Sequence, residues 1–372
     1  MLCRILAMLF SFIASSAVAY TPPEGRDDGW PVADAAALGW NTALLDALDI
    51  KLADPSHAGI TSVLVAQHGR IVLEVYANGG SRERLNDLRS ATKTVTALLV
   101  GAAIDRGKIA SDQARVYAYF RDKVRQRGLD PRKAAMTLQD LLSMSGAWEC
   151  DDDNAYSSGN EERMYVSENW TQFALNLPLR GYAPWTRRPK DSPYGRTFSY
   201  CTAGSFLLGA VVERASGLPL ARFAHDALEQ PLGITQVQWN QSSEGVGSGG
   251  GGTRYRTRDI AKFGELLRGR GRWKDQQIVS AEWTETMLTP RAVPREHTEY
   301  GYQIWRFRFA LRGQDEWIWA MSGNGGNYVF IAPQFALVAV VTSTAYNQRE
   351  SHPRSQALFR EHVLAALPAS GD

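Results

Sequence analysis

Hydrophobic and polar positions change rhythm twice along this chain. Residues 62–67 and 70–76 are two strand-length runs rich in Val, Ile and Leu, joined by His68-Gly69, and they predict a β-hairpin. A helix-like stretch over 41–52 precedes them. Between Thr94 and Ile104 the chain is almost continuously apolar at helical length, which predicts a helix buried on all sides. Further helices are expected over 138–143 and 202–215, the second closed by Ser216-Gly217. Strand patterns return at 302–310, 316–321, 328–331 and 337–342, before a final helix over about 355–367. A hairpin at the start and a meander at the end predict one antiparallel sheet assembled from both ends, with terminal helices on one face. The stretch from about 94 to 288 predicts a large helical lobe. The expected fold class is therefore α/β of the α+β type.

The first nineteen residues fall outside this pattern. Met1-Leu-Cys-Arg4 opens with a positive charge, residues 5–14 are apolar, and Ala17-Val18-Ala19 has the form of a cleavage site before Tyr20. This predicts a signal peptide of residues 1–19, and with it a periplasmic or secreted protein with no stable membrane insertion after cleavage. Residues 20–372 are expected to form one catalytic domain, with an α/β lobe of about 41–93 and 289–372 and a helical lobe of about 94–288. Cleavage leaves Cys150 and Cys201, which an oxidising compartment is expected to bridge.

Charge narrows the partner. The chain has 41 Lys and Arg against 39 Asp and Glu, a net charge of +2, so neither nucleic acid nor an anionic membrane is indicated. A small molecule is the expected partner; the oligomeric state is left open. The six histidines lack metal-ligand spacing and the two later cysteines are no Cys-x-x-Cys pair, so neither a metal site nor a cofactor is expected. The glycine run 245–252 lacks the Gly-Lys-Ser/Thr ending of a phosphate loop and is expected to be a mobile connector.

The candidate chemistry lies at Ser90-Ala-Thr-Lys93, where a polar stretch gives way to the apolar helix. A serine opening a buried helix, with a lysine three residues on, sets hydroxyl and amine on one helical face. Free N–H groups at the helix start point toward whatever the serine attacks. Desolvation lowers a lysine's pKa and so lets it activate a serine nucleophile. Tyr200, just ahead of the helix near Thr202, is a second proton carrier if neighbouring cations depress its pKa. Gly323-Asn324-Gly325-Gly326-Asn327 lies between two strands and permits close backbone approach, with an N–H near Asn327 expected to complete an oxyanion hole with that of Ser90.

Ser90-Ala-Thr-Lys93, Leu141-Leu-Ser-Met-Ser-Gly146, Tyr200-Cys-Thr-Ala-Gly204 and Gly323-Asn-Gly-Gly326, in this order, resemble the motifs of the class C β-lactamase-related serine hydrolases. That family includes DD-peptidases, esterases and 6-aminohexanoate-dimer hydrolase. The resemblance implies a β-lactamase/DD-peptidase-like fold, Ser90 as acylated nucleophile, Lys93 as its base partner and Tyr200 as proton carrier. Which of Lys93 and Tyr200 is the base is open at this stage. The family's β-lactamases carry Tyr-x-Asn and Lys-Thr-Gly, whereas this chain has Thr202 and Asn324. An amide and a cation are missing, so an uncharged ester or amide is the expected substrate. A DD-peptidase or weak β-lactamase on the same site is the nearest alternative, and a non-catalytic binder of cell-wall fragments is the alternative of another class. The acidic stretch Asp151-Asp152-Asp153, with Glu161 and Glu162, is expected to be a solvated loop, the alternative being a cleft lining that receives a cationic group. Tyr165, Trp148, Trp185 and Trp305 are expected to be mostly core, the alternative being a pocket wall.

Overall fold

The computed structural model describes residues 20–125, 127–181, 185 and 197–368; the expected signal peptide lies outside them. The largest sheet has eight strands: β1 (Ile60–Gln67), β2 (Arg70–Tyr76), β3 (Ala292–Arg295), β4 (Thr298–Tyr300), β5 (Trp305–Leu311), β6 (Gln314–Gly323), β7 (Asn327–Ala332) and β8 (Leu337–Ser343). Their order is β2-β1-β8-β7-β6-β5-β4-β3, antiparallel throughout. The N-terminal hairpin therefore joins the C-terminal meander through the β1–β8 pair. Sequence patterning predicts six of these strands. β3 and β4 escape it because four and three residues are too few to display alternation.

The strands bury both faces, so hydrophobic runs replace clean alternation in the centre. Every residue of β1 is buried. Val63 and Val65 face one core with α1 (Thr42–Ala53) and Phe359, Val363 and Leu364 of the C-terminal helical segment. Leu64 and Ala66 face the other core, shared with the helical lobe. That lobe holds α2 (Thr92–Asp105) and α3 (Thr202–Ser216), packed against each other. α4 (Thr257–Arg268) lies on the sheet so closely that a Cβ at Gly264 would fall 2.6 Å from Val338 and 2.7 Å from Val329. The C-terminal helix begins earlier than expected, as α5 (Ser351–Leu358), and continues as a wider turn over Phe359–Leu364. Among the described residues no helix is long and apolar enough to cross a membrane.

α2 is what holds the candidate site in place. Its residues Thr92 to Ala103 are all buried, which requires its polar side chains to find partners inside. Thr92 meets Thr253 Oγ1 at 2.7 Å, Thr94 donates to the Gln303 carbonyl at 2.6 Å and Thr96 to the Gly249 carbonyl at 2.7 Å. The glycine run is thus a packed seam between α2 and α3 rather than a mobile connector. A Cβ at Gly250 would lie 2.7 Å from Thr202, and one at Gly249 2.9 Å from the Ser205 carbonyl.

Candidate active site

Ser90 lies in a 3₁₀ turn, Arg89–Ala91, immediately ahead of α2. Arg89 is held at φ +49°, a left-handed conformation that a non-glycine residue adopts only when its surroundings impose it. Asp87 accepts a 2.8 Å hydrogen bond from the Arg89 N–H, and the Leu88 N–H is bound to the Thr253 carbonyl at 2.9 Å. The turn is therefore braced from two directions.

One helical turn along, Lys93 is 1% exposed. Its Nζ donates to Ser90 Oγ at 2.9 Å and to the Gly250 carbonyl at 2.7 Å. Burial pushes the Lys93 amine below its ordinary range, and the anionic Glu161 and Asp152 partly oppose that fall. The Gly250 carbonyl is a site partner that sequence reasoning missed. The signal was the glycine run itself, whose lack of side chains lets a main-chain oxygen reach a buried ammonium.

Tyr200 meets the same serine from α3's entry. Its hydroxyl is hydrogen-bonded to Ser90, and its ring lies 5.0 Å from Lys93 Nζ and stacks on Trp305 at 5.6 Å. The expectation that cations depress its pKa is corrected. Burial drives the phenol well above its ordinary value, and Asp152, Glu161 and Asp153 push it further in the same direction against the Ser90 hydrogen bond. Tyr200 is thus a neutral donor near pH 7, whereas Lys93 is the group whose proton is loosened.

The acidic loop is not simply solvated. Asp152, Asp153 and Glu161 line the cleft with Ser90 and Tyr200. Asp152 accepts the Thr202 N–H at 2.7 Å and the Glu161 N–H at 3.0 Å, while Thr202 Oγ1 donates to Glu161 at 3.0 Å. Thr202 is 1% exposed and spent on this network, so its side chain offers no clamp to a substrate. Burial raises the Asp152 carboxyl to about 6, with Lys93 pulling it down and Glu161 pushing it up. A disulfide joins Cys150 to Cys201, so the covalent link falls two residues before Asp152 and one after Tyr200.

The glycine motif is placed differently from expectation. Gly323, the last residue of β6, lies against the Ser90 turn: a Cβ there would be 2.1 Å from the Leu88 carbonyl oxygen. Asn327 does not reach the cleft. It is buried, and its side chain bonds the Asn324 carbonyl at 2.9 Å and both main-chain groups of Ser343, so it fastens β7 to β8. Gly325 and Gly326 form the turn, at φ +88° and +81°, and pack against Tyr346 and Ser351 rather than substrate space. Asn324 lines the cleft, but its side chain is engaged at both ends by Asn347, at 2.6 and 2.8 Å. The strand edge presented to Ser90 is thus 322–324, one hairpin arm earlier than expected.

Ser90, Asp152, Asp153, Glu161, Tyr200 and the 322–324 edge share a cleft of about 610 Å³. Trp305, Phe307 and Tyr328 supply aromatic lining, whereas Trp148 is core and Trp185 is exposed. Arg295 and Arg349 also line it, so cations reach this cleft from outside the glycine motif.

The chain matches the family model described as Beta-lactamase over residues 51–362. It is 24% identical to the 6-aminohexanoate-dimer hydrolase of Paenarthrobacter ureafaciens over 249 residues, 66% of this chain and 62% of that protein. It is 31% identical to esterase EstB of Burkholderia gladioli over 220 residues, 54% of this chain and 51% of that protein. The matches thus span about three-fifths and half of these two relatives. Among solved structures, EstCE1, a hydrolase with promiscuous acyltransferase activity, superposes with a TM-score of 0.69 at 16% identity, covering 87% of this chain and 98% of that one. The match to the family model over residues 51–362, most of the described fold, places this chain in the Beta-lactamase family.

Proposed function

We propose that this chain is an exported serine hydrolase that cleaves an ester or amide bond through an acyl-enzyme on Ser90. The observation that carries the reading is the 2.9 Å contact between Ser90 Oγ and the buried Lys93 amine. When Lys93 is neutral, the same contact runs in reverse, and Nζ takes the hydroxyl proton as Oγ attacks the carbonyl carbon. The carbonyl π electrons move to oxygen, where the Ser90 N–H and a main-chain N–H from the 322–324 edge receive the charge. As the bond to the leaving group breaks, Tyr200 gives that group its proton and is reprotonated from the Lys93 ammonium. Water then repeats the sequence on the acyl-enzyme. Lys93 is the base in this scheme because burial favours its neutral form, while burial and the surrounding anions keep Tyr200 protonated.

The similarity to a 6-aminohexanoate-dimer hydrolase and an esterase supports hydrolysis at an acyl carbon. Export rests on residues 1–19, and a protein recovered outside the cytoplasm should begin at Tyr20. A fluorophosphonate probe tests the mechanism. The adduct should map to the peptide containing Ser90, and Ser90→Ala should lose on the order of 10⁶ in turnover. Labelling at another serine, with Ser90→Ala still active, overturns it.

A further inference from the structure

Arg295 is a cation in the cleft to which the acyl-transfer scheme assigns no task. It ends β3, at the hairpin turn into β4, with Thr298 as its cross-strand partner. Its surroundings differ from those of nearby arginines. Arg306 is paired with Glu299 at 2.8 Å and Arg308 with Asp315 at 2.8 Å. The adjacent Glu296 sits 3.1 Å from His297. Among the described residues no carboxylate lies within 4.0 Å of Arg295; its guanidinium instead lies over the Trp305 ring, 5.7 Å from the centroid.

That ring leads to the reaction centre. Trp305 stacks on Tyr200 at 5.6 Å and on Phe307 at 6.0 Å. Tyr200 is the group that hands a proton to the leaving group in the scheme above, so the Trp305–Arg295 side of the cleft is where the leaving group departs. The cleft also holds Asp152, Asp153 and Glu161, of which Asp153 faces Arg295. His352 is kept below its ordinary range by burial and by Arg295 itself, and its Nδ1 meets the Tyr328 hydroxyl at 2.8 Å. Asp153 is the opposing anion, facing Arg295 electrostatically without an ion pair. Arg349 adds a second positive charge to the same cleft.

We propose that Arg295 is a specificity-determining residue that receives a carboxylate on the leaving group, with the apolar or aromatic body of that group lying along Trp305 and Phe307. The inference rests on the acyl-enzyme reading of Ser90. It departs from the sequence-based expectation of an uncharged ester or amide, which followed from Thr202 and Asn324. Arg254 and Arg256 do not compete for this task. The first lies 3.5 Å from Asp87 and the second is paired with Asp259 at 2.9 Å, and neither lines the cleft. A guanidinium held near an aromatic ring by cation–π attraction keeps its N–H groups available to a carboxylate.

The test uses a matched pair of esters with the same acyl group, 4-acetoxybenzoate and its methyl ester, so that deacylation is common to both. The quantity read is the ratio of kcat/KM for the anionic ester to that for the neutral one. In Arg295→Gln this ratio should fall about tenfold, mainly through KM, and Arg295→Lys should restore part of it. Asp153→Asn, which removes the opposing anion, should move the ratio upward. The wild-type ratio should decline as salt is raised. A ratio unchanged in Arg295→Gln, in protein that still labels at Ser90, overturns this assignment and leaves the hydrolase reading intact. Absence of Ser90 labelling in the wild type overturns both.

Discussion

Replacing Gly323 with alanine tests whether the end of β6 is fitted to the nucleophile's turn. The added Cβ would lie 2.1 Å from the Leu88 carbonyl oxygen, 3.1 Å from its carbon and 3.2 Å from the Ala91 nitrogen. A carbon–oxygen contact needs about 3.3 Å, so relief requires a separation of about 1 Å between two backbone segments. No flexible side chain is available to absorb it. The turn is held by the Leu88 N–H on Thr253, the Arg89 N–H on Asp87 and the Ala91 N–H on Leu88, at 2.9, 2.8 and 3.0 Å. Movement must therefore fall on Ser90 or on the strand edge beside it, the two elements that acyl transfer needs in register. Overpacking of this kind costs about 1–3 kcal/mol, a few degrees in Tm for a chain of this size. A displacement of about 1 Å at reacting atoms costs on the order of 10²-fold in rate. Gly323→Ala should thus lose about a hundredfold in kcat/KM on a p-nitrophenyl ester while calorimetry shows it folded. Gly25→Ala, which meets only Val32 at 3.9 Å, serves as the control and should change neither quantity measurably. Wild-type kcat/KM in folded Gly323→Ala would refute the proposed fit between strand and turn.

Two further outcomes follow from the same geometry. If neutral Lys93 is the base, activity rises with pH through its pKa; Asp152 raises that pKa, so Asp152→Asn should move the acid limb of the kcat/KM profile to lower pH, and a limb that stays put or moves upward would remove Lys93 from that role. Replacing Cys150 and Cys201 together with alanine should cost about 4 kcal/mol for a bridge spanning 51 residues, and about tenfold in kcat because the bridge flanks both Asp152 and Tyr200; an unchanged chemical-unfolding midpoint would sink this account.

The sequence alone was informative wherever a local physical rule operates without help from distant residues. The buried helix α2 is legible because an apolar run of that length has few other folded forms, and the Ser90–Lys93 relation follows from helical periodicity. The paired hairpin and meander are legible because β-branched runs bounded by turn residues encode strands. Pairing of Cys150 with Cys201 was expected from their number once residues 1–19 are read as a signal peptide. The fold class followed from the order of these elements.

Tertiary structure decided what depends on residues far apart in the chain. Glycine patterning locates a turn at 323–327, yet only packing reveals that Gly323 meets the turn carrying Ser90 while Asn327 ties β7 to β8. Acidic composition at 151–153 reads as surface until Cys150, Thr202 and Glu161 fold Asp152 into the cleft. The proposed assignment of Lys93 rather than Tyr200 as base rests on burial, which favours the neutral form of both groups and so frees the amine to accept a proton while the phenol keeps its own, a property of the assembled site and not of either residue. Charge was legible as a total but not as a location: Asn324 implies a missing cation, and the fold brings Arg295 to the same cleft from a strand too short to announce itself. Local propensities determine which elements form; the electrostatics of the site belong to the neighbours that folding supplies.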